Sequence, residues 1–179
     1  MDCPQICNFA KAMVDLAQEM QLLDEVRQAA EELLPRLNLP EVRQYLLHPL
    51  VKADDKKSFC RKLIAASVPQ VFINFVDLII DRRHFRWLPR IMEETIKLAI
   101  KAQGYEIITL ISAKELTKAE TELIRKELEQ HWSIRVFLEK RVNPSLIGGI
   151  VIQRGDQLYD GSILGKINQL RTILTGQPV

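Results

Sequence analysis

Every glycine in this chain lies at or beyond position 104. There are seven among the 179 residues, at 104, 148, 149, 155, 161, 165 and 176, and none in the first 103. Glycine supplies the positive-φ corners of hairpins and tight turns, and helices avoid it. Six of the eight prolines fall in the glycine-free stretch, spaced as helix punctuation. The sequence therefore predicts two domains of different grammar, 1–103 helical and 104–179 mixed, with the boundary near Gln103-Gly104. The expected fold class is α+β: an N-terminal six-helix bundle, then a small mixed β-sheet with two helices in the order β-α-β-β-β-α.

The first helix is expected from about Pro4 to Met20, because Ile6, Phe9, Ala10, Met13, Leu16, Ala17 and Met20 recur at three- and four-residue steps on one face. A second runs from about Leu22 to Leu34 and stops before Pro35. A short third covers about Glu41 to Leu47, closed by His48-Pro49. The fourth starts near Asp54-Asp55, whose carboxylates suit a helix N-terminus, and Ser67 is placed to cap a fifth ending near Ile80. A long sixth covers about Arg83 to Ala102, with Pro89 near its start or at a kink.

The fifth helix stands out. Val71, Phe72, Ile73, Phe75, Val76, Leu78, Ile79 and Ile80 cover more than half its circumference, leaving Gln70, Asn74 and Asp77 as a polar strip. A helix that apolar either sits at the centre of a bundle or commits one face to a second protein. An amphipathic partner helix in a groove shared with the first helix satisfies the second option.

In the second half, Tyr105 to Ile111 reads as a strand. Thr117-Lys118-Ala119-Glu120 is a capping box opening a helix to about Gln130. Ile134 to Glu139 and Ile147 to Arg154 are further strands. Gly155-Asp156 is a hairpin turn leading into a short strand, Gln157 to Tyr159. Ser162 caps a last helix with Ile163, Ile167, Leu170 and Leu174 on one face and Gly176 after its end.

Net charge offers no argument for a nucleic-acid partner. The 25 Lys and Arg against 23 Asp and Glu leave +2, split evenly between the halves, well short of the basic excess of a phosphate-gripping protein. Arg82, Arg83, His84, Arg86, Trp87 and Arg90 do form a basic run with aromatics between, the one feature favouring a nucleic-acid adaptor; the competing reading is a solvated helix junction. Cys3, Cys7 and Cys60 are odd in number and lack the partners of a zinc tetrahedron, so no metal site is expected. His48, His84 and His131 lie in separate elements, and no catalytic grouping follows from local spacing. Gly148-Gly149 fits no phosphate-loop or dinucleotide pattern, and Asp160-Gly161-Ser162 has the residue types of a turn and cap. No secretory signal and no spanning segment are evident. The expectation is a protein without catalytic residues, cofactor or metal, cytoplasmic, and linked to a membrane only through a partner.

Four segments carry a family resemblance. Asn8-Phe9-Ala10-Lys11-Ala12-Met13 resembles an aromatic-Ala-Lys-Ala-Leu opening helix. His48-Pro49-Leu50-Val51, with Asp55-Lys56-Lys57 after it, is similar to a His-Pro motif with a downstream Glu/Asp-Lys-Lys. Asn74-Phe75-Val76 through Asp81-Arg82-Arg83 is similar to Asn-Phe-Leu…Asn-x-Arg. The most specific is Val142-Asn143-Pro144-Ser145-Leu146-Ile147-Gly148-Gly149-Ile150, continued by Gly155-Asp156 and Asp160-Gly161-Ser162, which resembles Val-Asp-Pro-x-Leu-Ile-Gly-Gly…Gly-Asp…Asp-Gly-Ser. Together they resemble the delta subunit family of bacterial F-type ATP synthase, the counterpart of the mitochondrial oligomycin-sensitivity-conferring protein. Asn143 departs from the usual Asp, and Asn8 stands where a basic residue is common.

The resemblance implies a stator component rather than a catalyst. Residues 1–103 would dock on the catalytic head, with a groove between helices one and five taking an N-terminal helix of an α subunit. Residues 104–179 would join the b subunits of the peripheral stalk. Expected head contacts are Phe9, Met13, Ala17, Val71, Phe75, Leu78 and Ile79. Expected stalk contacts are Leu146, Ile150, Ile163, Ile167 and Leu170, and Gly148, Gly149, Gly155, Asp160, Gly161 and Ser162 form a structural motif. The implied setting is one copy per complex, peripheral, on the cytoplasmic side of the bacterial cell membrane. The alternatives from the residues alone are an unrelated helical scaffold, a basic-patch nucleic-acid adaptor, or a small α/β enzyme.

Overall fold

The computed structural model describes residues 4–64 and 68–175, the last four as backbone. The chain divides into two compact units, Met1–Gln103 and Gly104–Val179. Among the described residues it is a mixed α+β protein with eight α-helices and a four-stranded mixed sheet.

The first unit holds α1 (Pro4–Glu19), α2 (Leu23–Leu37), α3 (Pro40–Leu47), α4 (Ala53–Leu63), α5 (Gln70–Asp81) and α6 (Leu88–Ala102). α6 packs against both α1 and α2, burying Leu88, Ile91, Met92, Ala99 and Ile100. Ala10 and Ala17 of α1 are fully buried, as are Val26 and Ala30 of α2, and such small side chains let neighbouring helices approach closely. The one polar intruder on α6, Thr95, donates its hydroxyl to the Ile91 carbonyl at 2.7 Å, so its burial leaves no unpaired donor. α5 packs on α4. Two ion pairs reinforce that contact, Lys57–Asp81 at 2.6 Å and Arg61–Asp77.

Two helix boundaries differ from expectation. α2 runs through Pro35 to Leu37 rather than stopping at Leu34. The proline falls in the last turn, and extending the helix buries Leu37 to 1% exposure beside Leu33. That burial offsets part of the ~3 kcal/mol proline penalty. α6 starts at Leu88, not Arg83, after a 3₁₀ turn over Phe85–Trp87, which puts Pro89 in the first turn where its missing N–H costs nothing. The proposed Ser67 cap lies outside the described residues, as do Cys3 and Gly176 and the side chain of Leu174.

The second unit orders its strands β2-β1-β3-β4, from β1 (Tyr105–Ser112), β2 (Arg135–Val142), β3 (Ile150–Arg154) and β4 (Gln157–Asp160). β1 and β2 are parallel, joined through α7 (Lys118–Trp132), and β3 pairs antiparallel with both β1 and β4. α8 (Ile163–Thr175) follows β4. The Thr117 box is formed in both directions: Glu120 N–H donates to Thr117 Oγ1 at 3.2 Å and Thr117 N–H to Glu120 Oε2 at 2.8 Å. Ile108, Leu128 and Val136 form the core between β1, β2 and α7. β3 begins at Ile150 rather than Ile147, because Pro144–Leu146 takes a 3₁₀ turn and Ile147 and Gly149 both adopt positive φ.

Candidate functional site

The apolar surface of α1 is two stripes rather than one. Ile6, Ala10, Val14 and Ala17 turn into the core. Gln5, Asn8, Phe9, Ala12 and Leu16, rotated by about 100°, face a groove of about 690 Å³. Met13 lies between the stripes, lining the groove at only 2% exposure. The opposite wall comes from α5, through Val71, Asn74, Phe75 and Leu78. Neither Asp, Glu, Lys nor Arg lines it. On the rim, the Gln70 amide donates to Asn74 Oδ1 at 2.9 Å.

His84 closes one end of the groove, its ring 5.5 Å from Phe9 in an edge-on arrangement. It is carried there by a Schellman turn after α5: Arg83 at φ +59° donates its N–H to the Ile80 carbonyl, and His84 N–H donates to Ile79, both at 2.9 Å. The basic run of the sequence is thus split by a turn, with His84 in the groove and Arg86 stacked over Trp87.

The structure brings Phe9, Met13, Val71, Phe75 and Leu78 together around this groove. It does not bring Ala17 or Ile79, a correction to the expected set. Both are at 0% exposure in the core and have no surface to offer a partner. Phe75, at 8%, is the floor, whereas Leu16 and Leu78, at 42% and 43%, are the accessible walls. Sequence reasoning missed Gln5, Asn8, Ala12, Leu16, Asn74 and His84 as lining residues. For all but His84 the signal was present, since positions 5, 8, 9, 12, 13 and 16 and positions 71, 74, 75 and 78 each follow one helical strip.

In the second unit the Val142–Ser162 motif is a joint between two turns. Asn143 Oδ1 accepts from Ser145 N–H at 3.1 Å, and Asp160 Oδ1 accepts from Ser162 N–H at 2.8 Å. Ser162 Oγ then caps α8 by accepting from Gly165 N–H at 2.9 Å. The Ser162 hydroxyl and amide hold the Asp160 carboxyl below its ordinary range. A Cβ on Gly148 would sit 2.7 Å from Ile163 Cδ1, and one on Gly149 would sit 3.0 Å from Ser162 Cα and closer still to the Gly161 carbonyl oxygen. Gly155 occupies the β3–β4 hairpin at φ +56° with open space around it. Of the expected stalk contacts, Ile163, Ile167 and Leu170 form an exposed stripe along α8, while Leu146 is buried and Ile150 half-buried.

Burial pushes the Cys60 thiol up to about 12, which leaves it protonated and inert. Among the described residues, no cluster of His, Cys, Asp and Glu is arranged to hold a metal, and no helix is long and apolar enough to cross a membrane.

A family model described as ATP synthase delta (OSCP) subunit matches residues 7–174. The ATP synthase subunit delta of Heliobacterium modesticaldum is 30% identical over 172 residues, covering 96% of this chain and 93% of that protein. The protein of the same name from Thermosynechococcus vestitus is 31% identical over 168 residues, 93% and 91% of the two chains. Among solved structures, a chain of the Toxoplasma gondii mitochondrial ATP synthase hexamer superposes with a TM-score of 0.72 at 17% identity, covering 97% of this chain and 98% of that one, a likeness of fold. With a match over almost its whole length, the chain belongs to the ATP synthase delta (OSCP) subunit family.

Proposed function

We propose that this chain ties the α subunits of the catalytic head to the b subunits of the peripheral stalk, so that proton-driven rotation is coupled to ATP synthesis. As a member of its family it is a non-catalytic stator subunit of the F-type ATP synthase. In this reading residues 1–103, a six-helix bundle, dock on the head. Residues 104–179, with their β-α-β-β-β-α order, join the stalk. One copy serves each complex, held on the cytoplasmic side of the membrane through its partners.

The observation that carries the reading is the open groove between α1 and α5, mostly apolar and without Asp, Glu, Lys or Arg. Its shape and chemistry suit an amphipathic helix presenting apolar side chains at i, i+3/i+4 and i+7, such as an α-subunit N-terminal segment. A stator joint has to resist torque, so it needs slow dissociation rather than reactivity. A nanomolar joint corresponds to about 12 kcal/mol. Several large side chains buried at ~1.5–3 kcal/mol each reach that gross figure before association costs are subtracted. Phe9, Met13, Val71, Phe75 and Leu78 are the head contacts, joined by Leu16. On the other unit the α8 stripe of Ile163, Ile167 and Leu170 is the stalk contact, and Leu146 and Ile150 support it from within.

The test is binding of the full chain to the isolated catalytic head. Leu78→Asp and Leu16→Asp place a charge on the accessible walls without touching the core, and each should weaken binding by about 100-fold or more while circular dichroism stays unchanged. Binding of the unaltered chain should vary little with ionic strength, since no charged side chain lines the groove. Unaltered affinity in both variants would remove the groove from the account.

A further inference from the structure

A second cavity, of about 380 Å³, lies where the chain enters α4 and leaves α5. It shares no residue with the groove. Three of its lining side chains are cations, Lys52, Lys56 and Arg83, and none is acidic. Its apolar wall includes Val51, Ile80 and Phe85.

Lys56 is the unusual member. It is 4% exposed, and its ammonium sits 3.8 Å above the centre of the Phe85 ring. Among the described residues no carboxylate or other hydrogen-bond acceptor pairs with it. Its neighbour Lys57 has such a partner in Asp81 at 2.6 Å. The stem of Lys56 is covered while its ammonium keeps access to the cavity, since it is not among the buried polar atoms that lack a partner, and burial of the side chain lowers its pKa.

The surroundings add to the same charge. Lys52 is the N-cap residue of α4, and no side chain caps that helix. The first-turn amides therefore lack a side-chain acceptor at the positive end of an eleven-residue helix. Asp54 and Asp55 belong to that turn, yet neither lines the cavity. Arg83 occupies the left-handed position after α5 at φ +59°, a place ordinarily given to Gly or Asn, and it is one of the residues lining the cavity.

The geometry points to a binding pocket for a small oxyanion of the phosphate class, free or as a monoester, in which Lys56 supplies a charge held over the Phe85 ring, Lys52, Arg83 and the α4 amides supply the remaining donors, and the apolar wall accepts an organic substituent. Such a ligand would bridge the α4 start to the α5 end, the turn that also positions His84 in the groove.

The experiment titrates the full chain with inorganic phosphate and, separately, with phenyl phosphate. Amide NMR shifts of residues 53–56 and the side-chain Cε shift of Lys56 report binding. Both probes should give saturable shifts and raise the Lys56 pKa, and Lys56→Met or Arg83→Gln should each weaken binding about tenfold or more. Saturation by phenyl phosphate alone, lost in the variants, supports the pocket and assigns the monoester as its ligand. Saturation by inorganic phosphate, lost in the variants, assigns the free ion. If Lys56→Met does not fold, Arg83→Gln on the exposed turn decides. The proposal is overturned if neither probe saturates, or if affinity is the same in the folded variants as in the unaltered chain.

Discussion

Residues 4–102 fold around a continuous apolar cluster running from Ile6 to Met92, whereas the buried cluster of the second unit is Ile108, Leu128 and Val136 with a few half-buried neighbours. The second unit makes up the difference with specific polar joints. Glu106 receives a two-pronged contact from Arg154 at 2.8 and 2.9 Å, Thr117 and Glu120 cap each other, and Asp160 and Ser162 lock the turn into α8. Glycines permit backbone contacts that no larger residue fits. The contrast teaches how one chain can be built to serve the two proposed joints. The helical unit has enough apolar surface to fill its own core and still leave a groove, while the sheet unit depends on turn chemistry for its shape and exposes the α8 stripe together with Leu123, Val142, Ile147 and Leu158.

That contrast is open to attack, since each unit carries one of the chain's two tryptophans, Trp87 and Trp132. Single-tryptophan versions report the two unfolding transitions separately. The largest effect is expected from Phe72→Ala, which empties a fully buried site and should cost about 3–5 kcal/mol in the Trp87 transition alone. Next comes Gly149→Ala. At φ +78°, with the Gly161 carbonyl and Ser162 Cα in the way, it should cost about 3 kcal/mol in the Trp132 transition. Gly155→Ala, at φ +56° in open space, should cost only about 1 kcal/mol. Equal costs at the two glycines would mean that backbone conformation, not close approach, governs the motif. Thr117→Ala removes the α7 cap and should lower the Trp132 transition by about 1 kcal/mol.

The smallest effect is one of pH. Hydrogen bonds from Arg154, from the Thr117 amide and from Ser162 lower the pKa values of Glu106, Glu120 and Asp160 respectively. A carboxyl whose folded pKa lies below its unfolded value stabilises the fold fully above the ordinary range near ~4. It loses that contribution as the pH falls through the lowered folded value. The Trp132 transition should therefore weaken on acidification below about pH 4 before the Trp87 transition does. These groups are solvent-accessible, so each contributes little. The reverse order would break the contrast between an apolar and a hydrogen-bonded unit.

The division into two units was legible from glycine placement, and the caps at Thr117 and Ser162 from residue types alone, because both depend on local backbone chemistry. Helix ends were less so. Whether Pro35 stops α2 is decided by the burial of Leu37 against the rest of the core, which no local window contains. The groove was readable as a pair of helices but not residue by residue. Leu78 and Ile79 are both apolar and adjacent, and only the packing of α5 into the helical core decides which of them turns inward. The same holds for Leu16 and Ala17. His84 was invisible because the turn that carries it uses Arg83 where glycine normally marks a left-handed cap. Nothing in the sequence around Lys56 announces that the Phe85 ring lies under its ammonium.

Hydrogen exchange of the full chain, with and without each partner, tests the central claim that one unit serves each joint. Adding the isolated catalytic head should slow exchange in α1 and α5 and leave α7 and α8 unchanged; adding the C-terminal ends of the b subunits should slow α8 and leave α1 and α5 unchanged. Protection of both units by the head alone, or of α8 by the head and α5 by the stalk, would contradict the account.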